Sequence, residues 1–206
     1  MNIAIIGAGN VGRALASSLS RAGHEVTLAA RDAQATAAAA GELGVSSAPS
    51  PHDAAAGAEI VILAVPADAA VPVVEALDAS LDRAVVVDVT NRMQPDPTAD
   101  SNAEQVQRAT HAPVVKAFNT AFASRQADPV VDGRPVDGYV AGDDQEAKAR
   151  VLELVESVGF RPVDAGPLAA ARMLEGMAWL NIARNINGGS WQSAWVLVDP
   201  TEEKAA

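Results

Sequence analysis

A glycine motif near the start of the chain constrains its fold more than any other feature. Residues 3–12 are a short apolar run that passes into a Gly-x-Gly-x-x-Gly spacing, and an amphipathic segment follows directly. The first glycine allows a tight turn off a strand, the second lets the backbone approach a pyrophosphate, and the third lets a helix pack on the sheet. The alternative is a tight strand-to-helix turn without a ligand. The favoured interpretation is a dinucleotide site formed by Gly7, Ala8, Gly9, Asn10, Val11 and Gly12.

The second strand, Glu25 to Arg31, indicates which dinucleotide binds. An NAD-binding strand of this type usually ends in Asp or Glu, which binds the ribose 2′-hydroxyl. Here that position falls on Ala30, and Arg31 follows it. Because an arginine pairs with a 2′-phosphate through charge-assisted hydrogen bonds, NADP(H) is favoured over NAD(H). Two alternatives stay open: Asp32 takes the NAD role if the register slips by two, or Arg31 is an ordinary solvated side chain.

Strand and helix patterns alternate along the rest of the chain. This alternation predicts an α/β fold with a Rossmann-type, doubly wound parallel sheet. We expect residues 1–168 to form the NADP-binding domain. A long helix from Ala169 to Asn187 ends at a glycine pair, so residues 169–206 form a C-terminal helical appendage with a frayed end over 201–206.

Ligands bind open α/β sheets beyond the carboxyl ends of the strands, and that rule selects further candidates. Val65 and Pro66 follow the fourth strand and are predicted to lie along the nicotinamide-side ribose. Asn91 and Asn119 each end a strand with an amide that can hold a carboxamide or a substrate carbonyl, although each could also only cap a loop. Thr120 is predicted beside Asn119 on the substrate side.

Six other residues are further candidates for the site or for packing. Lys116, inside a Val-Val-Lys-Ala-Phe strand, is a catalytic amine or an edge or solvated lysine, and the second is favoured. Gly166 and the proline after it end the last strand and are expected at the ligand edge. Trp179, Trp191 and Trp195 all lie near the C-terminus and serve packing or ring stacking. Packing is favoured, and Trp191 is the candidate for contact with the acceptor.

Composition argues against several classes of protein. The net charge is −11 and the pI about 4.6, so the surface repels nucleic acid and anionic membranes. There are no cysteines, and the three histidines show no metal-ligand spacing, so no metal site is expected. No apolar run approaches the length of a membrane span and no leader segment precedes the first strand, which makes the cytoplasm the expected location.

The catalytic motifs of other enzyme classes are missing from the sequence. We find no Gly-x-Ser-x-Gly elbow, no P-loop and no histidine at a strand end. Hydride transfer to an alcohol or ketone needs a proton relay, whereas exchange between a nicotinamide and a flavin-like ring needs mainly alignment. The prediction is an NADP-dependent oxidoreductase in which no side chain is catalytic.

Several blocks of the sequence resemble one enzyme family. These are residues 7–12, 23–26, 114–120, 140–144, 160–168 and 171–175. The last two blocks, a strand and turn that lead into a helix, are the most specific. On these residues the chain resembles, over nearly its whole length, the F420-dependent NADP oxidoreductase family.

The resemblance implies a function and a set of roles. The glycine loop and Arg31 bind NADP, and the C-terminal helices help to form the dimer and the deazaflavin pocket. The chain departs from the family at Asn119, where archaeal members tend to carry a histidine, and at Trp191 and Trp195. Hydride transfer between NADPH and F420 is the prediction. A flavin, quinone or imine acceptor is the alternative within the class, and a non-catalytic NADP-binding module is the alternative outside it.

Apolar residues occupy more than one face of the long C-terminal helix. They are Met173, Leu174, Met177, Leu180 and Ile182, with Trp179 beside them. A helix with one solvent-exposed face does not show this pattern, so we expect the helix to be buried on two sides. The same helix of a second chain is the simplest cover, which predicts a homodimer. In the alternative, a monomer covers the helix with its own C-terminal turn.

Overall fold

The computed structural model describes residues 1–198. The strands in that part of the chain are β1 (Asn2–Ile6), β2 (Glu25–Ala29), β3 (Ser46–Ser47), β4 (Ile60–Leu63), β5 (Val85–Asp88), β6 (Val114–Lys116), β7 (Val130–Val131), β8 (Arg134–Pro135), β9 (Asp137–Gly142) and β10 (Arg161–Gly166). The helices are α1 (Asn10–Arg21), α2 (Ala33–Leu43), α3 (Pro51–Ala55), α4 (Ala67–Leu77), α5 (Asn102–Arg108), α6 (Ala123–Ala127), α7 (Gln145–Ser157) and α8 (Ala171–Ile186).

Eight of the described strands form one sheet in the order β10-β9-β6-β5-β4-β1-β2-β3. The strands from β1 to β6 are parallel, and the order reverses between β1 and β4, as in a doubly wound Rossmann-type sheet. The predicted α/β fold with a mostly parallel sheet is therefore confirmed. Parallel strands buried on both faces are continuously apolar, and Ile60–Leu63 is fully buried throughout.

The last two strands of the sheet run in the opposite direction. β9 pairs antiparallel with β6, and β10 pairs parallel with β9. The five-residue helix α6 and the β7–β8 hairpin connect β6 to β9, in place of the longer crossover helix that usually joins parallel neighbours. The carboxyl end of β10 therefore lies at the opposite edge of the sheet, and the expectation that Gly166 lies at the ligand edge is wrong.

Helices cover both faces of the sheet, and each face has its own apolar core. Ile3 and Ile5 point to the face that α1, α2 and α7 cover, whereas Ala4 and Ile6 point to the face of α3, α4 and α5. This alternation is the two-residue period of a strand. No helix within residues 1–198 is long and apolar enough to cross a lipid bilayer.

Helix α8 passes across the ligand edge of the sheet. It begins on the α4–α5 face, where Ala171 joins the apolar core. The Leu174 carbonyl then accepts a hydrogen bond of 3.1 Å from the Asn119 side chain, at the end of β6. The segment after α8 reaches α6 on the other face, where Ser124 Oγ donates to the Trp191 carbonyl at 2.7 Å. The division of the chain into domains after residue 168 stays a prediction, and the frayed end predicted for 201–206 lies outside the described residues.

Candidate functional site

The glycine loop between β1 and α1 has two tightly packed glycines and one open one. Gly7 has φ of +119°, and a Cβ there would lie 2.1 Å from the Ala64 carbonyl oxygen. A Cβ on Gly12 would lie 1.9 Å from the Gly7 carbonyl oxygen. A Cβ on Gly9 would meet no described atom within 4 Å. The packing of the protein therefore requires Gly7 and Gly12, whereas at Gly9 the loop leaves space in which a ligand can approach the backbone.

The N-terminus of α1 is open to an anion. No side chain caps it and no acidic residue lies in its first turn. By contrast, side chains of the protein cap four other helices: Asp32 caps α2, Ser50 caps α3, Ser101 caps α5 and Asp144 caps α7. Free N–H groups and the helix dipole at such an end attract phosphate groups. Together with the space above Gly9, this end of α1 fits a dinucleotide pyrophosphate.

The end of β2 presents a cation. The strand ends at Ala29, so Ala30 and Arg31 follow it as the predicted register requires. Arg31 is exposed and makes no hydrogen bond or ion pair with the rest of the described chain. The Asp32 carboxylate is already used, because its Oδ1 accepts a 2.9 Å hydrogen bond from the Ala35 N–H. The side chain available to a ribose substituent here is thus a guanidinium, which matches a 2′-phosphate.

Beyond β4 and β5 lies a cleft of about 740 Å³. Pro66 and Asn91 line it from opposite sides, together with Arg92, Met93 and Asn102. Val65 is half-buried in the α4–α5 core behind it. The predicted residues after the fourth and fifth strands are thus neighbours on the carboxyl edge.

Two asparagines join the ends of β5 and β6. Asn91 Nδ2 donates to the Asn119 carbonyl at 2.8 Å, and Asn119 Nδ2 donates to Asn91 Oδ1 at 2.9 Å and to the Leu174 carbonyl. These bonds fix the orientation of both amides, and they leave the buried Asn119 Oδ1 without a partner in the described chain. Thr120 beside it is also buried. A buried acceptor of this kind is costly unless a donor reaches it.

Directly beneath this edge lies a buried ionic cluster. Lys116 Nζ contacts Asp88 Oδ2 at 2.9 Å and Glu175 Oε1 at 3.0 Å, and it donates to the Thr90 carbonyl at 2.5 Å. All three charged side chains are at most 1% exposed. The favoured interpretation of Lys116 as an edge or solvated lysine is wrong, because β6 lies inside the sheet. Nor can this enclosed amine reach a substrate.

Most members of this ionic cluster are not predicted from the sequence. Glu175 also accepts from the Asn102 N–H at the start of α5 at 2.8 Å, so the cluster ties α8 to two loops of the ligand edge. Asp88 and Lys116 are register partners on adjacent strands. In the sequence, Asp88 and Lys116 stand at the ends of consecutive apolar runs, and these two opposite charges could have indicated their pairing. Nothing near Glu175 in the sequence indicates that it joins them.

The C-terminal segment brings Trp191 to the loop after β6. Its ring contacts Phe122, with ring centroids 5.2 Å apart. Trp179 and Trp195 are partly buried and do not share its exposure. Among residues 1–198, no group of three or more histidine or acidic side chains is arranged to hold a metal ion.

Comparisons with known proteins identify one family of reductases. The sequence profile of the family described as NADP oxidoreductase, coenzyme F420-dependent, matches residues 2–92. The F420-dependent NADP reductase of Methanothermobacter thermautotrophicus is 30% identical in an alignment of 210 positions that covers 90% of each chain. A crystal structure of a proposed F420-dependent NADP-reductase from Arthrobacter sp. FB24 has a TM-score of 0.85 and 32% identity, covering 96% of this chain and all of that one.

A longer protein shares part of the similarity. The rat metalloreductase STEAP3 is 32% identical over 177 residues, which are 84% of this chain and 35% of that protein. The chain thus spans about a third of the length of this relative. Both relatives are named as reductases, one for metals and one for NADP.

Proposed function

The chain is an NADP-dependent oxidoreductase of the F420-dependent NADP oxidoreductase family, and we propose that it transfers hydride between NADPH and the deazaflavin coenzyme F420. The main support for NADPH binding in this proposal is the glycine loop, where the space above Gly9 lies next to the uncapped end of α1. The acceptor half rests on the names of relatives that are about 30% identical and on the polar and aromatic groups beyond β6.

In this proposal the nucleotide extends along the carboxyl edge from β2 to β5. Backbone N–H groups at the start of α1 bind the pyrophosphate, and Arg31 pairs with the 2′-phosphate. The nicotinamide half lies along the cleft beyond β4 and β5. The residues assigned to the nucleotide are Gly7, Ala8, Gly9, Asn10, Val11, Gly12, Arg31, Val65, Pro66 and Asn91.

The acceptor then lies beyond β6, where we assign Asn119, Thr120 and Trp191 to its binding. NADPH supplies the hydride, which adds to a ring carbon of F420, and a proton from solvent completes the reduced ring. The protein therefore needs no nucleophile and no proton relay of side chains. Its contribution is to hold two flat rings in contact and to exclude water from between them.

A comparison of acceptors tests this proposal. NADPH oxidation is followed spectrophotometrically with F420, with FMN and with neither. We expect turnover with F420 that exceeds both other rates. Turnover with FMN but not with F420 would mean that the acceptor is a flavin. Tight NADPH binding without turnover on either ring would contradict the proposed reaction.

We further propose that the protein is a homodimer, as the sequence predicts. Met173 and Leu180, two turns apart on one face of α8, are 67% and 61% exposed in the single chain. The described part of the C-terminal segment packs against α6 and β9 and leaves this face uncovered. Light scattering at micromolar concentration should give twice the chain mass, and Leu180→Glu should give a monomer. A monomeric wild type would refute the dimer. The cytoplasmic location expected from the sequence stays a prediction.

A further inference from the structure

The exposed indole of Trp191 is a feature of the ligand edge that packing does not explain. Its backbone has φ of +57°, in the left-handed region that bulky residues rarely adopt. The residue is 45% exposed, so a large part of its apolar surface still faces solvent. Its ring meets Phe122 edge to face, at an interplanar angle of 60°. A strained backbone thus displays an apolar ring to solvent.

Three hydrogen bonds hold the backbone in this conformation. Ser124 Oγ donates to the Trp191 carbonyl, and the Trp191 N–H donates to Asn185 Oδ1, each at 2.7 Å. Arg125 Nε donates to the next carbonyl, that of Gln192, also at 2.7 Å. Strained residues persist only where their surroundings fix them, and they concentrate at ligand sites.

A second layer of contacts fixes the first. Asn185 is 2% exposed, and its Nδ2 donates to the Asn181 carbonyl at 2.8 Å and to Ser193 Oγ at 2.9 Å. The turn after α8 closes tightly round this side chain, because a Cβ on Gly189 would lie 2.3 Å from Asn185 Oδ1. The polar groups of α8, the turn and α6 are therefore arranged to hold the segment that carries Trp191.

The aromatic pair lies at the ligand edge. Phe122 precedes α6 and comes three residues after Asn119, which follows β6. Arg21 Nη2, at the far end of α1, donates to the Ala127 carbonyl at 2.8 Å. The end of α6 therefore lies beside the end of α1, and Phe122 lies at the other end of α6, the end that follows Asn119 in the chain.

We propose that Trp191 and Phe122 form a stacking platform for the planar heteroaromatic ring of the hydride acceptor. This inference rests on the proposed function for the identity of the ring, a deazaflavin. A flat conjugated ring gains from contact with an aromatic face without needing specific hydrogen bonds. A platform fixed before binding also avoids the cost of ordering a side chain when the ring arrives.

Titrations of F420 alone, without NADPH, test the platform in two variants. Trp191→Leu removes the aromatic face and keeps an apolar side chain, so F420 affinity should fall about tenfold or more. Trp191→Phe keeps a ring and should stay within about threefold of wild type. The affinity for NADP⁺ and the melting temperature should not change in either variant.

The outcomes separate this inference from the proposed function. If wild type and Trp191→Leu bind F420 equally, the platform is refuted and the proposed reaction stands. If the wild type binds NADP⁺ and not F420, the proposed reaction is refuted, and the same titrations with FMN decide the platform. No binding of FMN, or equal binding by wild type and Trp191→Leu, would then refute it.

A pair of smaller substitutions tests the strained backbone. Glycine adopts φ of +57° without cost and alanine does not, so Trp191→Gly should melt at a higher temperature than Trp191→Ala. Both variants should lose the same fold of F420 affinity. A Trp191→Ala variant that melts at or above the temperature of Trp191→Gly would contradict the claim that the backbone is strained at residue 191.

Discussion

The two halves of the ligand edge are built in different ways. The half formed by β1, β2 and the start of α1 offers backbone groups, open space above Gly9 and an unpaired Arg31. The half beyond β5 and β6 consists of side chains fixed by other side chains, such as the Asn91–Asn119 pair and the segment of Trp191. Phosphates can be held by generic backbone N–H groups, whereas a ring must be positioned from several parts of the chain.

The buried ionic cluster is the main support of the second half. Lys116, Asp88 and Glu175 connect β6, β5 and α8 in a region that water does not reach. Removing one partner from such a cluster leaves uncompensated buried charge, which is far more costly than losing an exposed pair. The first half has no equivalent of this cluster, since Arg13 and Glu42 pair at the surface.

The largest effect should come from Lys116→Met. This change leaves two buried carboxylates without their cation, so the free energy of unfolding should fall by about 3–5 kcal/mol. Arg150→Met is the control, since its pair with Glu59 is partly exposed and is worth about 1 kcal/mol at most. Denaturant titrations measure both. Similar small losses in the two variants would show that the cluster does not support the edge.

Substitutions in the glycine loop should separate packing from ligand binding. Gly12→Ala places a Cβ against the Gly7 carbonyl and should destabilise the fold. Gly9→Val meets no described atom close to its Cβ, so the variant should fold normally and lose measurable NADPH binding. Thermal melting and calorimetric titration check the pair. A Gly9→Val protein with wild-type affinity would mean that the nucleotide lies elsewhere.

Arg31→Ala should change the choice of nucleotide. Loss of a charged hydrogen-bonding partner costs about 1.5–3 kcal/mol. NADPH affinity should therefore fall about ten- to a hundredfold, at 1.4 kcal/mol per decade, while NADH affinity stays unchanged. Calorimetry with both nucleotides measures the difference. Equal losses for NADPH and NADH would show that Arg31 does not contact the 2′-phosphate.

The smallest effect should come from an ion pair at the margin of α8. Hydrogen bonds from Arg172 lower the pKa of Glu104 from 4.5 to about 2. The resulting stability is present above pH 4.5 and is lost as the pH falls from there towards 2. Arg172→Gln should cost up to about 1 kcal/mol near neutral pH, because the pair is partly exposed.

The gap between Arg172→Gln and wild type should narrow below pH 4.5 in thermal melts recorded across the acid range. The more exposed Arg108, which pairs with Asp100, provides the control Arg108→Gln. Its deficit should be smaller than that of Arg172→Gln near neutral pH, because Arg108 is the more exposed side chain. If the difference in melting temperature between Arg172→Gln and wild type stays constant down to pH 3, the ionised Glu104 does not contribute to stability through Arg172.

The first half of the edge could be predicted from the sequence, because its determinants are close together in the chain. The glycine spacing and Ala30–Arg31 each lie within a few residues of the strand end that they follow. The second half could not, because its contacts join distant residues. Glu175 meets a lysine 59 positions away, and Ser124 meets a carbonyl 67 positions away.

The reversed strands show the same limit. The short connection from β6 to β9 carries no strong periodic pattern, and α6 and the β7–β8 hairpin were not predicted. Without them the last strands were expected to continue the parallel order, which misplaced Gly166. The exposed Trp191 also had no sequence signal beyond its residue type, since its conformation depends on contacts with α6 and α8.

The most direct test of the central claim is the fate of the transferred hydrogen. NADPH that carries two deuterium atoms at the nicotinamide C4 is mixed with the protein and oxidised F420. The mass of the reduced F420 is then measured by mass spectrometry. Direct contact between two aligned rings, with no proton relay, predicts one deuteron on carbon in each reduced F420. Reduced F420 without deuterium would contradict the account, because the hydrogen would then have come from solvent.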